Sequence, residues 1–306
     1  MMSKPDAASC LSAARRLGGA ANRTLDGSEP DWATIAHLHA PDRAPNILLV
    51  LTDDAGFGNP ATFGGPIETP NDTRLAQEGL RYNRFHVTAM CSPTRAALLT
   101  GRNSHSVGFG SIGEFSTGFS GYTASVPDDC APLPTVLRDN GYSTAAFGKR
   151  HLTPDSQQGP AGPFDRWPVG WGFEYFYGFL GGGSGQWDPC LAENQKIIGT
   201  PSEFYDDEHP YYLPDAMADK TIEWLHAIRA QDSDKPFFAY FSTGCRHAPH
   251  HLSEQWAEKY KGKFDSGWDR LREETFARQK ALGVIPADAA LTSRDEAFAA
   301  WDERQR

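Results

Sequence analysis

Apolar positions along the chain fall into short continuous runs, separated by stretches with helical spacing. Ile47–Leu51 is an unbroken apolar run of strand length. It predicts a strand buried on both faces, as in a parallel sheet covered by helices. Short helices are predicted over 73–78, stopped at Gly79, and over 94–101. A third covers 133–140, with Pro134 near its start and Gly141 just past its end. The runs YSTAAFG from Tyr142 and PFFAYFS from Pro236 to Ser242 predict two more strands. Between them, over 215–230, Met217, Ile222, Trp224, Leu225 and Ile228 have amphipathic-helix spacing. Residues 253–282 read as mostly helical and charged. Strands alternating with helices predict an α/β sandwich around a mostly parallel sheet.

Two stretches break this pattern. Residues 1–42 carry little apolar periodicity and several Pro, Ala and Gly. They predict an N-terminal extension, packed on the surface or partly loose, ahead of a domain over 43–306. Residues 155–212 are rich in Gly, Pro and aromatics. They predict a long ordered insertion, because Trp and Tyr are too frequent for disorder. Trp167, Trp171, Phe173, Tyr175, Phe176 and Tyr177 are expected in the core, with a second reading in which some line a pocket for an aromatic leaving group.

A chain of 306 residues can bury a large core. The formal net charge of -10 argues against nucleic acid as a partner, and a site for an anion must build its own positive charge. No segment approaches the roughly 18 to 20 apolar residues of a membrane span, so no membrane partner is expected. The first residues lack the apolar run of a secretory signal. The five cysteines, at 10, 91, 130, 190 and 245, are odd in number and scattered, which is no disulfide framework. A cytoplasmic location is the expectation.

Ligands of open α/β sheets sit beyond the carboxyl ends of strands. Asp53 and Asp54 follow the first strand, Lys149 and His151 the second, and His247 the third. Adjacent carboxylates such as Asp53 and Asp54 suit a hard cation, or else a polar turn with one Asp capping a helix. In CSPTRAALLTGR, from Cys91 to Arg102, Pro93 fits the first helical position. Ser92 is then the N-cap, and Cys91 stands just before a helix start that favours anions. Arg95 falls in the first turn, where a cation makes sense beside an anion or the carboxylates. The plain alternative is a buried structural cysteine. Extended residues two apart point the same way, so Lys149 and His151 can share a site with Arg150 turned away. The run HAPHH at 247–251 invites a zinc reading, weakened by Pro249 and by the lack of nearby Cys or Glu. One functional histidine, His247, is expected there, with the other two structural or exposed.

Together these residues resemble the sulfatase family, within the alkaline-phosphatase-like superfamily. The run Cys-Ser-Pro-Thr-Arg followed by Ala-Ala-Leu-Leu-Thr-Gly-Arg looks like the family signature. NILLVLTDDAGFG, ETPNDTRLAQEGLRYNRFH and HAPHH fit in the same order, from about residue 43 onward, closest to bacterial arylsulfatases. The resemblance implies an alkaline-phosphatase-like sandwich and hydrolysis of a sulfate ester, an aryl sulfate for preference. It implies oxidation of Cys91 to formylglycine by a formylglycine-generating enzyme, the hydrated aldehyde then acting as nucleophile. It implies that Asp53, Asp54 and residue 91 bind one calcium ion. Arg95 would orient the formylglycine and Lys149 would contact the sulfate. His151 would bind a formylglycine hydroxyl and assist breakdown of the intermediate, and His247 would protonate the leaving oxygen or hold the ester.

Two departures stand out. Arg150 occupies the position where the family usually has Trp before the histidine. No later Asp-Asn-Gly stretch completes the calcium shell, since Asp139-Asn140-Gly141 lies upstream at a predicted helix end. That pattern implies a partial domain, without the later metal-ligand strand and the C-terminal subdomain. The alternatives are a phosphonate or phosphate ester hydrolase of the same superfamily, and a catalytically inactive fragment or binding module for sulfated ligands.

Overall fold

The computed structural model describes residues 20, 22–29, 39–201 and 210–304. Most of the expected N-terminal extension lies outside the described residues. Its later part is anchored: Ala40 packs against the core.

Among the described residues six strands form one sheet: β1 (Ile47–Leu51), β2 (Ser143–Lys149), β3 (Tyr175–Phe179), β4 (Leu191–Glu193), β5 (Lys196–Ile198) and β6 (Phe237–Ser242). Their spatial order is β1-β6-β2-β3-β4-β5. The first four in that order are parallel, and β4 and β5 add an antiparallel margin. The helices are α1 (Pro70–Glu78), α2 (Cys91–Thr100), α3 (Leu133–Arg138), α4 (Leu213–Gln231), α5 (Glu254–Tyr260), α6 (Gly267–Ala281) and the single turn α7 (Trp301–Arg304). The predicted α/β sandwich with a mostly parallel sheet is present.

Two apolar layers flank the sheet. On one face Ala96 and Leu99 of α2, Leu133 and Leu137 of α3, Trp167, Trp171 and Phe173 pack against Ala146, Phe238 and Tyr240. On the other, Leu213, Ala216 and Met217 of α4 pack against Ala145, Phe147, Tyr177 and Ala239. The alternation along β2 and β6 explains the split, since successive side chains leave opposite faces of a strand.

Two expectations change. The stretch 155–212 is no insertion. It supplies β3, β4 and β5, which extend the sheet, and Trp167, Trp171, Phe173, Phe176 and Tyr177 are buried in the core. Three-residue strands flanked by Gly and Pro leave too short a period to show in sequence. The second correction concerns β1. Ile47, Leu49 and Leu51 pack on the core, but Leu48 and Val50 are 58% and 53% exposed. β1 is at the sheet margin, and α4 packs on β2 and β3, so that face of β1 stays open among the described residues.

Candidate active site

Strand order builds the site. β1, β6 and β2 are neighbours and parallel, so their carboxyl ends open on the same edge. The register aligns Leu51 with Ser242, and Ser242 with Gly148. Asp53, Ser242 and Lys149 therefore arrive side by side, although far apart in sequence.

Asp53 is buried, and the Lys149 ammonium donates to its Oδ2 at 2.5 Å. Its Oδ1 lies 3.4 Å from an Nη of Arg95. The other Nη of Arg95 donates to the Lys149 carbonyl at 2.9 Å, to the Tyr240 hydroxyl at 3.2 Å, and to Ser242 Oγ. Arg95 Nε is buried with no acceptor among the described residues. A carboxylate balances only one of the two cations, so the cluster carries excess positive charge at the strand ends. That is the local positive charge an anion site needs in an acidic chain.

Cys91 is the first residue of α2, after the extended Met90 as N-cap. The expected start at Pro93 is thus two residues late. Proline is tolerated throughout the first helical turn, because those N–H groups have no partner four residues back. The first such bond here runs from Thr94 N–H to the Met90 carbonyl at 3.1 Å. The thiol of Cys91 is free and half-buried. Arg95 lies one turn further along the same helix, which carries it beneath Cys91 into the Asp53 cluster.

His151 is buried, and its Nε2 lies 3.0 and 3.1 Å from the two carboxylate oxygens of Glu114. Its Nδ1 is buried without a partner among the described residues. Burial first, then the charge of Lys149, push its pKa down; Glu114 works against them and Arg95 adds to them. The Glu114 carboxyl is held below its ordinary value. Burial opposes that, but its own backbone N–H, the bond to His151 and the charges of His151 and Lys149 prevail. The pleat argument for pairing Lys149 with His151 does not apply. β2 ends at Lys149, and His151 has the left-handed φ of 48°. The two share a site through a turn, within reach of each other's charge.

Arg150 does turn to separate company. It is buried, with its guanidinium carbon 3.9 Å from the centre of the Trp171 ring. None of its three side-chain nitrogens has a hydrogen-bond partner among the described residues. Burial pushes its pKa down to about 9; Tyr240 opposes this and Arg95 adds to it.

The glycine run after β3 links the two histidines. A Cβ on Gly182 would stand 2.6 Å from Glu114 Oε1 and 2.7 Å from His151 Nε2. One on Gly183 would stand 3.4 Å from His247 Nδ1. His247 Nδ1 is 2.7 Å from the Ala248 carbonyl, so it donates there and Nε2 is left free. His250 is exposed, and His251 Nδ1 accepts the Gln186 N–H at 3.3 Å. The zinc reading of this run finds no support in these partners.

Sequence reading missed Glu114, Tyr240, Ser242 and the glycine run. Tyr240 and Ser242 carried a signal, as alternate polar residues at the end of an apolar strand. Glu114 sits in a short loop turn with none. Cys245 also lies near the cluster; burial, then Asp215 and Asp53, push its thiol up, so it stays protonated.

The residues present do not make a calcium shell by themselves. Both oxygens of Asp53 face cations, while Asp54 is exposed at a φ of 54°. Among the described residues no three His, Cys, Asp or Glu side chains gather as a metal would need. Calcium takes about six to eight oxygens.

The chain that carries this cluster, at the carboxyl ends of a mostly parallel sheet, matches a known family. The sulfatase family model matches residues 45–303, and the chain belongs to that family. An uncharacterized sulfatase of Schizosaccharomyces pombe is 32% identical, over 86% of this chain and 49% of its own length. The arylsulfatase of Klebsiella aerogenes is 29% identical, over 84% and 54%. Human N-acetylgalactosamine-6-sulfatase is 34% identical, over 79% and 46%. Among solved structures, BT4656 in complex with its substrate D-glucosamine-2-N,6-O-disulfate aligns with a TM-score of 0.53 at 29% identity, over 73% of this chain and 38% of that one. The chain spans about half the length of the curated relatives it matches.

Proposed function

We propose that this protein hydrolyses sulfate esters, with a formylglycine made from Cys91 as the nucleophilic residue. The observation that carries this reading is the buried Asp53–Lys149–Arg95 cluster beside Cys91, with more positive than negative charge. Lys149 and the free Nε of Arg95 are the donors for a sulfate oxygen and for residue 91. Nδ1 of His151 takes a proton from a hydroxyl held at residue 91, and His247, protonated on both ring nitrogens, delivers the proton on Nε2 to the leaving oxygen. Both oxygens of Asp53 face Lys149 and Arg95, so only Asp54 stands open to a calcium ion, whose chemistry would be to neutralise charge on the sulfate and lower the pKa of a bound hydroxyl. Its remaining ligands are not among the described residues, and no step here passes through it.

A phosphate or phosphonate site would favour a further cation toward the substrate. The extra cation after Lys149 is Arg150, and it lies on Trp171 instead. The relatives include a sugar sulfatase and an arylsulfatase by name, so either alcohol fits the class.

The test has two parts. The protein is co-expressed with a formylglycine-generating enzyme, and the peptide bearing residue 91 is examined by mass spectrometry for the aldehyde. Turnover of an aryl sulfate, a sulfated amino sugar, the matching aryl phosphate and a phosphonate is then compared with that of Cys91→Ala. Aldehyde and sulfate turnover, both lost in the variant, are expected. A thiol that persists in a host that modifies other sulfatases, or a preference for phosphonate, overturns the reading.

A further inference from the structure

We propose that Glu114 is a positioning residue for His151, fixing which ring nitrogen carries the proton. This rests on the sulfate-ester reading above. The geometry is that of a base and its orienter. Both Glu114 oxygens lie within hydrogen-bond distance of His151 Nε2, at 3.0 and 3.1 Å. An ionised carboxylate only accepts, so Nε2 must be the nitrogen that bears the hydrogen. Neutral imidazole has one N–H, and Nδ1 then keeps its lone pair. That nitrogen is buried and has no partner among the described residues. A buried acceptor without a donor costs free energy, and a hydroxyl at the site would satisfy it.

The surroundings hold this arrangement. Glu114 lies in a turn at Gly113–Phe115 whose backbone hydrogen-bonds its own carboxylate. Gly182 lies directly on the pair, where any side chain would strike both Glu114 Oε1 and His151 Nε2. His151 itself is in a left-handed conformation, so its ring direction is not set by the strand before it. Its two neighbours, Glu114 and the glycine run, set it instead. An acid or base oriented through its second nitrogen is a recurring arrangement in catalysis.

The experiment reads the tautomer directly. Nitrogen-15 NMR of the histidine-labelled protein reports whether Nδ1 of His151 is of the lone-pair type near neutral pH. It is expected to be so in the parent protein. Glu114→Gln keeps the shape but can turn its NH2 toward the ring, and should mix or invert the tautomers. Gly182→Ala keeps the carboxylate but wedges the pair apart, and should do the same. In the enzymatically active protein, kcat for an aryl sulfate should fall by about tenfold or more in both, with KM little changed, up to the 10²–10⁴-fold that acid–base catalysis contributes in full. An unchanged tautomer in both variants overturns the proposal, as does a lost tautomer with unchanged kcat. A parent protein with the tautomer set but no turnover of any sulfate ester overturns the sulfatase reading, while Glu114's hold on the ring stands.

Discussion

Lys149 and Asp53 form a buried ion pair, with ammonium and carboxylate oxygen 2.5 Å apart and both side chains almost wholly out of water. They are 96 residues apart in sequence, and the adjacency of β1, β6 and β2 alone brings them together. Two charges so placed are costly to desolvate, and their attraction offsets that only with close geometry and further hydrogen bonds. Arg95 makes the pair a triad with one cation in surplus.

Breaking the pair from one side should be expensive. Lys149→Met leaves Asp53 buried with only the longer contact to Arg95, and a loss of about 3 kcal/mol of unfolding free energy is expected. Asp53→Asn leaves two cations facing each other and should cost a similar amount. The double variant should cost less than the sum, because neither charge is then left alone. Urea denaturation of the four proteins measures this cycle; strict additivity would contradict the coupling.

Acid should weaken the fold through His151 and Glu114. The folded pKa of His151 lies below its ordinary 6.5, so between those two values the unfolded chain binds more protons. Stability is therefore lost as pH falls through that window. The folded pKa of Glu114 lies below 4.5, and its contribution is lost further down, as pH falls through that lowered value. His151→Gln should flatten the stability curve just below pH 6.5 and weaken the acid limb of Glu114, whose lowering draws on His151. Denaturant midpoints at four pH values test this. A variant with a steeper slope over that range would show the sign to be wrong.

Much of this site was legible from order and spacing. Asp53, Lys149, His151 and His247 follow apolar runs, and parallel strands end on one edge, so convergence could be expected before any coordinate. Cys91 and Arg95 were legible as one helix start, though two residues early in the chain from where Pro93 suggested. The partners were not legible. Glu114 comes from an irregular loop, and Tyr240 and Ser242 look like ordinary strand residues until β6 is known to lie between β1 and β2. β3, β4 and β5 hid inside a Gly- and Pro-rich stretch because strands of three to five residues barely establish a period. The run at Ile47–Leu51 told the truth about strand formation but not about cover, since apolar character alone does not say which neighbours arrive.

The open face of β1 should be tolerant to polar change. Leu48→Thr with Val50→Thr puts β-branched, strand-favouring side chains at both positions and removes exposed apolar area. Stability should move by about 0.5 kcal/mol or less, and aggregation and dye binding to apolar surface should fall. Leu49→Ala, one position between, faces the core and should cost about 2 kcal/mol or more. Light scattering and thermal melts separate the two cases. If the threonine pair unfolds the protein, that face is covered in solution.

Arg150 gives the sharpest prediction, because two substitutions should move stability in opposite directions. Its guanidinium is buried, carries no hydrogen bond among the described residues, and lies over the Trp171 ring at 3.9 Å. With a pKa of about 9 it remains cationic at neutral pH. Stacking on a desolvated indole contributes about 2 kcal/mol, whereas burying a charge whose donors are unmet costs several. Arg150→Met fills similar space without the charge, and should raise stability by about 1 to 3 kcal/mol. Arg150→Lys keeps the charge but loses the planar stack, and puts a compact, strongly hydrated ammonium in the same apolar place. It should lower stability. Urea midpoints of the parent and both variants decide the matter at a single pH near 7. If methionine destabilises as lysine does, the guanidinium nitrogens have acceptors, such as ordered water, and the residue is a satisfied part of the core.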